Sequence, residues 1–200
     1  IQTWLSDRVV PTPVLSYNLL ARNAAAGIMI TASHNSGLWN GFKYKPEYAG
    51  SASQTIVDQL EAFIHAAQSD GHIQIDNLSN AKNDNLLHGI EMAPPYIANL
   101  ESVVNLDAIR NSGIKVGIDS MHGAGIGYFE TILGTGATSV VSIRGNRNPA
   151  FPDMVQPEPI ASNLRPSIEM AQAGSVDIVL ANDGDADRLG IIDEKGNFIS

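Results

Sequence analysis

From Ile114 onward the sequence alternates short apolar runs with helical patterns, and this alternation restricts the fold more than any other feature. Lys115-Val-Gly-Ile-Asp119, Ser139-Val-Val-Ser-Ile143 and Asp177-Ile-Val-Leu-Ala-Asn182 read as strands; Gly127 to Leu133 and Asn163 to Ala173 read as helices. Strands separated by helices pair in parallel, with the helices covering the sheet, and ligands gather at the carboxyl ends of the strands. Ile191-Ile-Asp and Phe198-Ile, with Glu194-Lys-Gly-Asn197 between them, read as a closing hairpin.

The first half is also α/β. Val14 to Ala26 reads as a helix after Pro11 and Pro13, and Gly27 to Thr31 as a short buried strand. Gly41 to Lys45 reads as a strand with Phe42 and Tyr44 opposite Lys43 and Lys45. Ser53 caps a helix to about Ala67 with Ile56, Leu60, Phe63 and Ile64 on one face, and Tyr96 to Arg110 reads as another helix. Residues 68–90 are polar and rich in Asn and Asp. The expected fold is therefore two α/β/α layered domains with mixed, mostly parallel sheets. Residues 1–90 form an incomplete first unit and 91–200 a second. The chain starts at Ile1 rather than Met and stops just after a strand, so both ends read as cut.

Composition excludes several classes of function. A net charge of −9 opposes binding to nucleic acid or an anionic membrane. No apolar run approaches the roughly 18 residues of a membrane span, and no signal peptide is visible. The absence of cysteine removes disulfides, zinc–thiolate sites and thiol nucleophiles, and fits a cytoplasmic protein. With 44% hydrophobic and 16% charged residues the chain can bury a core.

Two constellations carry chemistry. Asp183, Asp185 and Asp187 follow the last buried strand, spaced by Gly184 and Ala186 and closed by Arg188. In extended chain such spacing aims three carboxylates to one side, and a hard divalent cation relieves their repulsion. A solvated acidic turn is the ordinary alternative. An EF-hand is excluded, because Arg188 stands where that loop needs Gly and a strand precedes the run instead of a helix. The second constellation is Thr31-Ala-Ser33-His34-Asn35 after a strand, followed by Asn40-Gly41-Phe42-Lys43. A serine nucleophile needs a base, a metal or phosphorylation. No Gly-x-Ser-x-Gly elbow surrounds Ser33, which opposes an acyl-transfer triad with His34. A polar turn that satisfies its own backbone is the alternative. Gly123-Ala-Gly125-Ile-Gly127 lacks dinucleotide spacing and reads as a tight turn; His122 beside it reads as satisfied by backbone, and His65, His72 and His88 as surface residues.

TASHN, NGFK and DGDADR, in that order, resemble three motifs of the α-D-phosphohexomutase family, the phosphoglucomutases and phosphomannomutases. The likeness extends through GIMITASHN, PEPI and ANDGDADRLGIIDEKG, and departs at Ser36, where the family usually has Pro. The resemblance implies that Ser33 carries a phosphoryl group and that Asp183, Asp185 and Asp187 bind Mg²⁺ together with a phosphoserine oxygen. It further implies Lys43 as general acid/base and Arg188, with His34, as contacts of phosphate or substrate. The implied partners are a hexose phosphate and its 1,6-bisphosphate, and the implied reaction interconverts hexose 1- and 6-phosphates. Asn40 to Tyr48 looks more like phosphoglucomutases than phosphomannomutases. The family's sugar-recognition and distal phosphate-gripping loops are not in this sequence, so the 200 residues alone are expected to be inactive. A metal-dependent phosphatase, or a non-catalytic cation- or sugar-phosphate-binding module, are the competing classes.

Overall fold

Apolar five-residue runs at Lys115–Asp119 (β5), Ser139–Ile143 (β6) and Ile178–Asn182 (β7) build the centre of the molecule in the computed structural model, which describes residues 1–199 except His72, Gln74 and Asp76. The sequence reading of His72 as a surface residue lies outside the described residues. β5 is flanked in parallel by β6 on one side and β7 on the other, and Leu189–Asp193 (β8) and Phe198–Ile199 (β9) extend the sheet antiparallel beyond β7. Because the chain leaves β5 for one neighbour and returns to the other, the carboxyl ends of β5 and β7 frame a topological switch point.

Helix α7 (Arg165–Gln172) covers one face of this sheet. Leu164 and Ala171 pack there with Val179, Ala181, Ile192 and Met121, all fully buried. On the other face lie α5 (Leu106–Arg110) and α6 (Tyr128–Leu133), where Leu106, Ile132 and Leu133 form a second cluster. The expected helix from Tyr96 to Arg110 is two helices. α4 (Ala93–Val103) stops at an extended Val104, and Asn105 caps α5 by accepting from Ala108 N at 3.1 Å.

Residues 1–90 hold two small sheets. β1 (Thr3–Ser6) pairs in parallel with β4 (Leu87–Ile90), and β2 (Ala26–Ile30) pairs antiparallel with β3 (Phe42–Pro46). Neither β1 nor β4 was expected from the sequence. A short helix, α3 (Leu78–Asn83), also interrupts the polar stretch. His88 is therefore a half-buried strand residue stacked on Trp4, not a surface residue. α1 (Thr12–Ala21) ends five residues earlier than expected, because Asn23 adopts a left-handed backbone. β2 is not buried as expected, since Ile28 and Ile30 are exposed in a two-stranded sheet. In β3 the lysine side is the covered one, with Lys45 buried and Phe42 exposed. α2 (Gln54–Asp70) begins at the Ser53 cap but has no fully buried residue: Ile56 and Leu60 are half-buried, and Phe63 and Ile64 are exposed.

α1 and α4 pack against each other. Val10, Val14 and Met92 bury against each other, and Asn18 Nδ2 donates to Val14 O at 2.9 Å and Met92 O at 2.8 Å. Among the described residues no helix is long and apolar enough to cross a membrane.

Candidate active site

The Asp run is a turn rather than the extended segment its spacing implied. Asp183 Oδ1 accepts from the amides of Asp187 (2.9 Å) and Arg188 (3.0 Å), and Ala186 is left-handed. The turn still brings one oxygen of each of Asp183, Asp185 and Asp187 within 4.8 Å of the others. Asp183 Oδ2 is buried without a hydrogen-bond partner. Burial of the Asp183 carboxyl, reinforced by Asp185 and Asp187, pushes its pKa up to about 7 against the opposing amides.

Ser33 reaches this turn from the first unit. Its backbone is left-handed and its amide donates to Thr31 Oγ1 at 2.7 Å, which turns the hydroxyl towards the second unit. Ser33 Oγ lies 3.3 Å from Asp185 Oδ1 and accepts from Lys43 Nζ at 3.2 Å. Lys43 Nζ also donates to Asp185 Oδ2 and Asp187 Oδ2, each at 2.7 Å. Burial works to lower the Lys43 pKa, but hydrogen bonds and charge from Asp185 and Asp187 outweigh it and hold the ammonium above its usual value. Asp185 is pushed up by burial and pulled further down by Lys43 and Thr12, so it lies below the usual carboxylate range. Lys45, behind Lys43, is lowered by burial and then by repulsion from Lys43.

Five of the residues singled out in the sequence thus meet at one point: Ser33, Lys43, Asp183, Asp185 and Asp187. Arg188 stands at the rim, held by Glu158 Oε1 at 3.0 Å and 4.0 Å from Asp183 Oδ2. His34 lies beside Ser33 with its Nδ1 buried and unpaired. His122 Nδ1 is 2.8 Å from Asn146 O, the backbone contact expected of it. Thr12 and Glu158 were missed. Thr12 Oγ1 donates to Asp185 Oδ2 at 2.7 Å and Thr12 N to Asp185 O at 2.9 Å. Its only signal was a threonine held between Pro11 and Pro13 before a helix.

The donor set fits a hard divalent cation. Three carboxylates converge with a hydroxyl beside them, one buried oxygen lacks a partner, and a single ammonium bridges two of the acids.

Residues 94–196 match the family model described as phosphoglucomutase/phosphomannomutase, alpha/beta/alpha domain II, and residues 1–71 match alpha/beta/alpha domain I of the same family. A phosphoglucomutase of Komagataeibacter xylinus is 30% identical, over 94% of this chain and 37% of its own length. A phosphopentomutase of Thermococcus kodakarensis is 31% identical, over 98% of this chain and 40% of its own. The solved structure of a Thermus thermophilus protein assigned as a phosphomannomutase superposes with a TM-score of 0.84 at 28% identity, covering 99% of this chain and 43% of that one. The chain thus spans about two fifths of the length of the curated relatives it matches. With both of its α/β units matched, this chain belongs to the phosphoglucomutase/phosphomannomutase family, the α-D-phosphohexomutases.

Proposed function

We propose that this chain is the phosphoryl-carrying and cation-binding part of a phosphohexomutase that interconverts hexose 1-phosphate and hexose 6-phosphate through a 1,6-bisphosphate. The observation that carries the reading is the meeting of Ser33 Oγ with Lys43 Nζ at 3.2 Å, ten residues on, and with Asp185 Oδ1 at 3.3 Å, 152 residues on. The two-unit division near residue 90 belongs to the same reading. β4 ends at Ile90 and pairs with β1, so Ser33 and the acids come from separate units.

Ser33 is the phosphoryl carrier. Asp183, Asp185 and Asp187 hold Mg²⁺, which when bound neutralises charge on the phosphoryl oxygens. Lys43 exchanges a proton with the accepting sugar hydroxyl; within 3.2 Å of Ser33 Oγ it is also in reach of the bond that forms and breaks. Arg188 and His34 flank the phosphoryl group, Arg188 oriented by Glu158. In the transfer the bond from phosphorus to Ser33 Oγ breaks and one to the sugar oxygen forms; the Lys43 ammonium gives its proton to the departing Ser33 Oγ and takes up the proton that the sugar hydroxyl loses. After the sugar reorients, the other phosphoryl group returns to Ser33. The relatives include a phosphoglucomutase and a phosphopentomutase, so the sugar is the finer part of the proposal. Glucose is favoured by the Asn40-Gly-Phe-Lys-Tyr-Lys-Pro-Glu-Tyr48 stretch.

The test uses the whole protein with glucose 1-phosphate, a trace of glucose 1,6-bisphosphate and Mg²⁺, read by a coupled assay for glucose 6-phosphate. Intact-mass and peptide mass spectrometry should place a phosphate on Ser33, and Ser33→Ala should lack both phosphate and turnover. Release of inorganic phosphate without a lasting phosphoserine would mark a phosphatase instead.

A further inference from the structure

We propose that the loop after β6, anchored by the buried Asp119–Arg144 pair, seats the Ser33 loop against the cation site, with Gly37 as its point of contact. The proposal rests on the reading of Ser33 as phosphoryl carrier.

Asp119 closes β5 and is fully buried. Its Oδ1 accepts from Arg144 Nε at 2.8 Å and Met121 N at 3.1 Å; its Oδ2 accepts from Arg144 Nη2 and from Ser167 Oγ at 2.5 Å. A guanidinium bound through two nitrogens is fixed in plane as well as in distance. Arg144 Nη2 also donates to Asn163 O at 3.1 Å, which ties the loop to the start of α7.

The backbone around this pair is held in unusual conformations. Arg144, Met121 and His122 are all left-handed without being glycine, a state that persists only where the surroundings enforce it. Three contacts join the loops after β5 and β6: His122 N donates to Arg144 O at 2.9 Å, His122 O accepts from Asn148 N at 3.5 Å, and His122 Nδ1 lies 2.8 Å from Asn146 O.

The anchored loop then meets the first unit. A Cβ on Gly37, four residues beyond Ser33, would come within 2.2 Å of Pro149 O. Gly37 does not have a left-handed backbone, so its missing side chain serves close approach and not a turn. A second contact lies at Ser33 itself, where a Cβ on Gly184 would meet Ser33 O at 2.6 Å. Gly184 is backed in turn by Gly123, whose Cβ would meet Gly184 O at 2.5 Å. Backbone from the second unit therefore touches the Ser33 loop at two points. One belongs to the cation turn and the other to the loop fixed by Asp119 and Arg144. Phosphoryl transfer depends on alignment, so the second contact sets the hydroxyl's position without touching substrate.

The test compares Gly37→Ala with Gly145→Ala, where a Cβ would meet only Ser142 Cβ at 3.6 Å. In the whole protein, Gly37→Ala should lower kcat by roughly 10- to 100-fold, the scale of a displacement of about 1 Å, with KM for hexose phosphate and calorimetric Mg²⁺ affinity changed less than about threefold. Amide exchange read by mass spectrometry should quicken across residues 32–40 and stay unchanged in β5 and β7. Gly145→Ala should match wild type in all of these. Arg144→Lys, which keeps the charge but loses the two-nitrogen contact, should quicken the same amides and provides a second variant if Gly37→Ala misfolds. Wild-type kcat and wild-type exchange in Gly37→Ala, or unchanged exchange at 32–40 in Arg144→Lys, would overturn the proposal. A wild-type protein without mutase turnover would sink the functional reading alone, because amide exchange still decides the seating role.

Discussion

Burial drives the Asp183 carboxyl up to about 7, and the amides of Arg188 and Asp187 offset only part of that against Asp185 and Asp187. A group whose folded pKa is raised stabilises the protein fully below its unfolded value of about 4, and that contribution is lost as pH rises through the folded value. Cation-free protein in EDTA should therefore melt at a lower temperature at pH 8 than at pH 5.5, by roughly 2–4 °C for each kcal/mol lost. Saturating Mg²⁺ should remove this fall, and Asp183→Asn should flatten the same part of the profile. Equal melting at both pH values in EDTA would show that Asp183 does not carry an unbalanced buried charge. Lys43 is the complementary residue. Asp185 and Asp187 each hold its ammonium at 2.7 Å, so it stays protonated while it bridges them. Lys43→Met in the whole protein should lower kcat by roughly 10²–10⁴ while calorimetric Mg²⁺ binding survives, because an ammonium is no ligand to a cation. A kcat within a few-fold of wild type would remove Lys43 from the chemistry.

β5 is the element on which both loops of the site depend. It lies between β6 and β7, ends in Asp119, and carries the fully buried Ile118. Truncating Ile118→Ala should cost about 2–5 kcal/mol, measured by denaturant unfolding, because a close-packed sheet face relaxes little around the cavity. A loss below about 1 kcal/mol would mean that the face is loosely packed. Elements like β5 were legible in sequence. Val-Gly-Ile buried on both faces between Lys115 and Asp119 has no other comfortable fate, and β5 and β6 run over the very residues read. β1 and β4 were not legible, because Thr-Trp-Leu-Ser and Leu-His-Gly-Ile become strands only by pairing across some 80 residues. β3 was legible only in part. Alternation gives two faces but not which one is covered, and Lys43 is drawn inward by Asp185 and Asp187. In the candidate site, the Asp run and Ser33 were legible as residues that could act together, and they do converge. That a turn rather than an extended strand joins the acids depends on Ala186 turning left-handed, and Thr12 enters only through tertiary contact.

At the scale of the whole molecule, the site is assembled between two units but lies open. Beside Ser33, Leu38, Trp39 and Phe42 are exposed, and Ile28 and Ile30 present apolar side chains to solvent on β2. A phosphoryl group on Ser33 would therefore face bulk water, which competes with a sugar hydroxyl as acceptor. A mutase must exclude water while the bisphosphate reorients, and that closure draws on binding energy from substrate groups remote from the reacting centre. The chain covers 37–40% of the length of the curated relatives cited, and among the described residues the cluster at Ser33 has acids, one bridging lysine and a rim arginine. Residues 1–200 on their own should bind Mg²⁺ through the acid turn, with loss of binding in Asp185→Asn, yet show no detectable conversion of glucose 1-phosphate in a coupled assay. If any phosphate is loaded onto Ser33 in this piece, it should leave as inorganic phosphate faster than as sugar phosphate. Turnover near that of the whole protein would mean that the open cleft closes without help from the rest of the chain, and that water exclusion is built into these two units.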